Sequence, residues 1–364
     1  MIAETICQLA RRLMRHPAAP YHEHAVRDEV ERICAEHGLP FDRDQFGNVL
    51  VRWRTAARQR PLILAAHLDH PGFEIVHGLS STAWLARFRG GVADNFFRAG
   101  ILVRLMPGKT PAKLARQKGK ARIFELQAKS HAGEDAGAPR FAVWELEDFS
   151  MRRGKIYGRA CDDLIGVAAA LATIIELKSK KARVNVLGVI SRAEEIGFDG
   201  ALACAASGRL PKNSLVISLE TSRELPGAKM GQGVILRVGD RTSIFDPEAT
   251  RFLAEVASGL TKRKGFQFQR GLMSGGTCEG TAYQELGFQT AAVCIALGNY
   301  HNCAARNRIV AEYVSVADAC GMVQLLVAAA KQMQQYPQLT GKLGQRLNKM
   351  LREAKKKLRA TAQV

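Results

Sequence analysis

Residues 158–197, GRACDDLIGVAAALATIIELKSKKARVNVLGVISRAEEIG, decide the fold. Residues 162–180 read as one helix opened by two aspartates. VNVLGVI at 184–190 is a continuous apolar run of strand length, and the pattern from about 196 to 207 is helical again. Helix, strand and helix in succession, with a strand apolar on both faces, indicate a sheet covered by helices on each side. The same texture continues outward. PLILAA (61–66), SLVISLE (214–220) and AAVCIAL (291–297) are further apolar strands, and GNVLVRW (47–53) is a shorter one. Helical patterns cover 1–16, 22–38, 247–263 and 315–335; in the second, Ala25, Val26, Val30, Ile33 and Cys34 recur at helical spacing. The expectation is an α/β fold with a mostly parallel or mixed sheet between helices.

One segment breaks the alternation. Between residues 72 and 157 the sequence runs in short alternating stretches (FEIVHGL, TAWLARF, GILVRLM, ARIFELQAKS, RFAVWEL) divided by Gly, Pro and charged turns. No long helix fits there. We read a small all-β domain inserted into a catalytic domain made of 1–71 and 158–336, with 337–364 as a basic amphipathic tail.

Composition bounds the function. The 364 residues are 47% hydrophobic and 24% charged, an ordinary globular balance. There is no apolar run of membrane-spanning length. Eight cysteines occur with no C-x-x-C spacing, which argues against a thiolate zinc finger. The first residues lack the features of a secretory signal, so a cytoplasmic protein with reduced thiols is expected. The net charge is +19, and two segments carry most of it: 104–130 and 331–364 each hold a single acid among eight and nine basic residues. In 343–359, Leu343, Leu347, Met350, Leu351, Ala354 and Leu358 share one side of a helix ringed by Lys and Arg. A weak polyanion contact through 104–130 and 343–359 is the partner these charges suggest; a solvated surface is the plainer alternative.

Five metal-ligand types fall at or just past the ends of strands and loops: His67 (AAHLDH), Asp162 (GRACDDLIG), Glu195 (SRAEEIGFDG), Glu220 (ISLETS) and His301 (LGNYHN). In an open α/β sheet such ends converge on one edge. Taken singly, a histidine after a strand is usually a hydrogen-bonded loop residue, and an acid pair opening a helix usually serves the dipole or a cap. Taken together, two histidines and three carboxylates suit two divalent ions of the zinc type, one histidine and one carboxylate each with a carboxylate between them. Such a pair can hold and acidify a water. Glu194 is placed to act as general base, and Asp69 to accept the second ring N–H of His67.

The motifs AHLDHPGF, GRACDDLIG, AEEIGFDGA, SLET and NYHN, in this order, with RVGDRTSIFDP and GGTCEGTAYQELG, resemble the TET-type, glutamyl-aminopeptidase family of co-catalytic zinc metallopeptidases, in the same clan as the carboxypeptidase-like amidohydrolases. The resemblance runs from about residue 17 to 330. It implies His67, Asp162, Glu195, Glu220 and His301 as ligands of two zinc ions (cobalt or manganese being alternatives), with Asp162 bridging. It also implies Glu194 as base, Asp69 as the residue orienting His67, and homo-oligomeric assembly in which the β insertion takes part. The expected activity is aminopeptidase cleavage of short peptides. Three positions depart from the family: Glu220 where Asp is usual, Gly298-Asn299-Tyr300-His301-Asn302 without the accustomed Arg and Ser, and Cys278 in place of Asp. Glu220 raises a carboxypeptidase or amidohydrolase as the rival enzyme. A non-catalytic polyanion-binding protein on a peptidase scaffold is the rival of another class.

Overall fold

The strand Leu62–His67 is buried along its whole length, as its six-residue apolar run requires. It lies between Asn185–Ser191 and Leu215–Arg223 and runs parallel to both, and Gln289–Gly298 continues the parallel set beyond Leu215–Arg223. Antiparallel strands extend the sheet at both sides, Val49–Arg54 on one and Glu312–Ser315 on the other. The computed structural model describes residues 2–118, 122–130, 137–262 and 265–362. Among these the main sheet has 11 strands and is mixed.

Helices cover both faces. Ile2–Met14, Cys161–Ser179, Pro247–Leu260 and Val316–Gln332 pack on one side over the largest apolar core. Asp199–Ala206 and Glu279–Glu285 cover the other, where Ala201, Cys204, Ala282 and Tyr283 meet Ile63 and Val216. The central helix Cys161–Ser179 is apolar nearly all round because sheet and helices enclose it.

The insertion is a closed six-stranded barrel running from Gly72 to Trp144. Its core is separate and aromatic: Phe73 packs edge-on against Phe88 and Trp144 at 4.9 and 5.0 Å between ring centroids. The expected insertion extends to residue 157, but Ser150–Arg152 and Lys155–Gly158 form a hairpin that joins the large sheet beside Glu312–Ser315. Strands of three and four residues carry too little alternation to reveal which sheet they serve.

Among the described residues, three of the eight basic residues in the run at 104–130 form ion pairs. Arg104 pairs with Glu145, Arg116 with Glu125 and Arg122 with Asp94. Lys120 lies outside the described residues. The tail forms one helix, Tyr336–Thr361, anchored through Tyr336, Leu339 and Thr340.

Candidate metal centre

The site gathers at the carboxyl ends of strands that run in one direction. His67 ends its strand, and the turn after Asn185–Ser191 carries Glu194 and Glu195. Glu220 lies near the end of Leu215–Arg223, and His301 follows Gln289–Gly298. The strand Lys155–Gly158 is antiparallel to Glu312–Ser315, which is antiparallel to Gln289–Gly298. It therefore points the same way and delivers Asp162 to the same edge. This is where an α/β sheet presents its loops to a ligand.

Among the described residues, two groups of three have ligand atoms within 4.8 Å of one another: His67, Asp162 and Glu220, and Asp162, Glu195 and His301. Asp162 belongs to both. All five sequence-predicted ligands are thus brought together. The backbone at Asp162 is not helical (φ −84°, ψ 109°), so its side chain leaves the helix direction. His301 adopts φ 53° and lies between Asn299 at 55° and Asn302 at 63°. Asparagine tolerates this left-handed region better than most residues, which helps hold the turn.

The chemistry of the donors fits a cation. His301 Nδ1 lies 2.7 Å from the carbonyl of Gly91, in the loop after a barrel strand, and His67 Nδ1 lies 3.1 Å from the carbonyl of Asp69. A carbonyl only accepts, so each Nδ1 carries the proton and each Nε2 offers a lone pair to the cluster. Nε2 of His67 is 3.8 Å from Asp162, and Nε2 of His301 is 3.2 Å from Glu195. Glu195 Oε1, Glu220 Oε1 and His301 Nε2 are buried with no hydrogen-bond partner among the described residues. Buried groups of this kind are costly unless something satisfies them.

The charge balance agrees. Burial pushes the Glu220 carboxyl up to about 8, with the neighbouring Asp162 adding to it. Burial also raises Glu194 well above the carboxylate range, with Glu220 and Glu195 adding to the effect. At His301 burial opposes the charged ring, but Glu195 and Asp162 outweigh it and hold its pKa well above the ordinary value. A divalent cation relieves this concentration of negative charge.

Asp69 sits otherwise than expected. The ring N–H of His67 goes to its main-chain oxygen, and the carboxylate Oδ1 is 3.6 Å from that nitrogen. The carboxylate instead accepts the backbone N–H of Glu194 at 2.9 Å and of Glu195 at 3.1 Å. It therefore fixes the turn that presents both glutamates.

Sequence reasoning missed three contributors. Glu312, fully buried, accepts the backbone N–H of Asp162 at 3.1 Å and of His301 at 2.8 Å. His70 joins the Asp162 carbonyl (2.8 Å) to Asn302 (3.1 Å). Arg237 lines the cleft beside Glu220, with one hydrogen bond to Ser222 at 3.2 Å and a long one to Gly276 at 3.4 Å. Its side chain is 4% exposed, its Nε has no partner among the described residues, and Asp240 is 4.0 Å away. Only His70 left a sequence signal, as the second histidine of HLDH. Cys278, buried behind the cleft, donates its N–H to Asp240, which also accepts from Thr281.

Comparison with known proteins completes the assignment. The family described as M42 glutamyl aminopeptidase matches residues 134–312, a span that holds Asp162, Glu194, Glu195, Glu220 and His301. A curated relative in Acetivibrio thermocellus, named as a candidate aminopeptidase, is 26% identical over 324 residues, covering 85% of this chain and 93% of its own. In fold the chain is similar to the TET aminopeptidase of a marine-sediment Thaumarchaeota archaeon (TM-score 0.76, 20% identity, 91% of this chain and 99% of that one). It is likewise similar to the Pyrococcus horikoshii TET1 peptidase (TM-score 0.73, 21% identity, 89% and 99%). With the matched residues carrying most of the cluster and the fold shared along nearly its whole length, the chain is similar to the M42 glutamyl aminopeptidase family, and the activity this likeness supports is that of a hydrolase acting on peptides.

Proposed function

We propose that the chain is a metal-dependent aminopeptidase that cleaves short peptides at a two-metal centre. The observation that carries this reading is the pair of ligand triads sharing Asp162. His67, Asp162 and Glu220 would hold one divalent ion, and Asp162, Glu195 and His301 the other, with zinc suited to this mix of imidazole and carboxylate. When bound, the ions supply Lewis-acid activation of water and of the peptide carbonyl.

The remaining roles fall to side chains. Glu194, with Oε2 3.9 Å from His67 Nε2, takes the proton of the attacking water and returns it to the leaving amine. Asp69 keeps the Glu194–Glu195 turn in place. Arg237, a buried and incompletely paired cation in the cleft, suits a carboxylate on the substrate. Homo-oligomeric assembly is part of the proposal, because the Pyrococcus TET1 peptidase can assemble into a tetrahedron or a large octahedral shell. So is a cytoplasmic location; no described helix is long and apolar enough to cross a membrane.

The test is a panel of aminoacyl-anilides, short peptides and N-blocked peptides, assayed after metal removal and after return of zinc, cobalt or manganese. Release of free N-terminal residues that depends on added metal supports the reading. Cleavage of N-blocked peptides from the carboxyl end would transfer it to a carboxypeptidase. No turnover from a protein carrying two metal equivalents would favour the non-catalytic reading.

A further inference from the structure

The helix Tyr336–Thr361 touches the body at one end only. Tyr336 packs on Phe252, with ring centroids 4.9 Å apart, and Leu339 and Thr340 are buried. From Gly344 to Ala362 every residue is exposed. At about 1.5 Å per residue that exposed length is roughly 28 Å.

Its two faces differ sharply. At about 100° per residue, Leu343, Leu347, Met350, Leu351, Ala354 and Leu358 fall within an arc of roughly 100°. No Lys or Arg falls inside that arc. Leu343 is half-buried against the body, but Leu347 is 49% exposed and Leu358 67%, so the stripe beyond Leu343 has no partner among the described residues. Eight basic residues occupy the rest of the helix with one acid, Glu353. Of these only Lys342 forms an ion pair among the described residues, with Glu255 at its Oε2.

We propose that this helix docks the protein onto an anionic lipid surface, lying in the interface with its apolar stripe among the acyl chains. A partner must satisfy both faces. A second copy of the helix would cover the stripe but would set Arg346 and Lys357, which flank it, against like charges. A nucleic acid would neutralise the bases and leave four large apolar side chains in water, and residues 338–364 contain no aromatic ring for base stacking. An anionic bilayer accepts aliphatic side chains and Lys or Arg together. The helix is too polar to cross a membrane and suited to lie on one. This inference is independent of the peptidase reading, because none of these residues approaches the metal centre.

Sedimentation of the full chain with vesicles tests it. Retention on phosphatidylcholine vesicles containing phosphatidylglycerol should exceed that on phosphatidylcholine alone by at least about tenfold, and should fall with salt. The double variant Leu347→Gln, Leu351→Gln should lose vesicle retention yet elute from heparin at the unchanged salt concentration. Lys355→Glu with Lys356→Glu should weaken both. Melting temperature and small-peptide turnover confirm that each variant is folded. The proposal is overturned by absence of retention on either vesicle, by equal retention of the leucine variant, by preferential retention on RNA at the same salt, or by a change of oligomeric mass in the leucine variant.

Discussion

The Asp69 carboxylate accepts the backbone N–H of Glu194 at 2.9 Å, so a residue just past one strand holds the turn that follows its neighbour. Asp69→Asn keeps the size but replaces one acceptor oxygen with a donor facing a donor. The turn should shift and carry both glutamates with it. The expected loss is ~10–100-fold in kcat/KM or in metal affinity, the range for partners that orient a ligand. Steady-state kinetics beside elemental analysis checks it; full activity in Asp69→Asn would remove Asp69 from the mechanism.

Glu194→Gln preserves shape and removes the base. Turnover should fall ~10²–10⁴-fold. Metal content should stay at two equivalents, because Glu194 belongs to neither triad. A metal-replete Glu194→Gln enzyme with wild-type turnover would exclude it as the base.

Asp162→Asn should lower occupancy of both ions together, since Asp162 is the member common to the triads. His67→Ala and His301→Ala should each deplete chiefly one. Metal titration monitored by cobalt absorption separates the cases. Two unchanged equivalents in Asp162→Asn would contradict a shared ligand.

Arg237→Met should cost peptides bearing an acidic side chain or a nearby terminal carboxylate ~10–100-fold in kcat/KM, the value of a charge-assisted hydrogen bond. Neutral aminoacyl-anilides should change little. The ratio of glutamyl- to leucyl-anilide cleavage measures it, and an unchanged ratio would leave Arg237 without a substrate role.

Glu279 supplies a pH prediction. Burial raises its carboxyl from 4.5 to about 7, while Ser191 donates to one of its oxygens at 2.6 Å. The folded chain therefore keeps this proton where the unfolded chain has released it. The contribution to stability falls as pH rises from about 4.5 to about 7. Glu279→Gln cannot release that proton, so its stability relative to wild type should rise across the same window. Urea unfolding of chelator-treated protein at several pH values checks the sign; a flat difference would rule it out.

What could be read from sequence follows physical range. The strand ends His67 and Glu220, and the paired acids at 162–163 and 194–195, announce themselves because apolar runs stop there. Glu312 does not. It opens a four-residue strand, and its partner Asp162 is 150 positions away, so nothing local marks the contact. Arg237 is one base within VILRVG, distinguishable from a solvated arginine only by its burial. The role of Asp69 was half visible: its proximity to His67 could be inferred, but not that its carboxylate serves two amides across the sheet.

The hydrogen bond from His301 to Gly91 has an evolutionary consequence. The proton on the imidazole is directed by a main-chain oxygen, so no side-chain replacement at position 91 deletes the acceptor. The contact is stored in the path of the chain, and only insertions or deletions near residues 89–95 can erase it. Variation in the barrel can thus be broad in residue type and narrow in loop length. Homologous chains that keep the chemistry should differ there by substitution far more than by gaps.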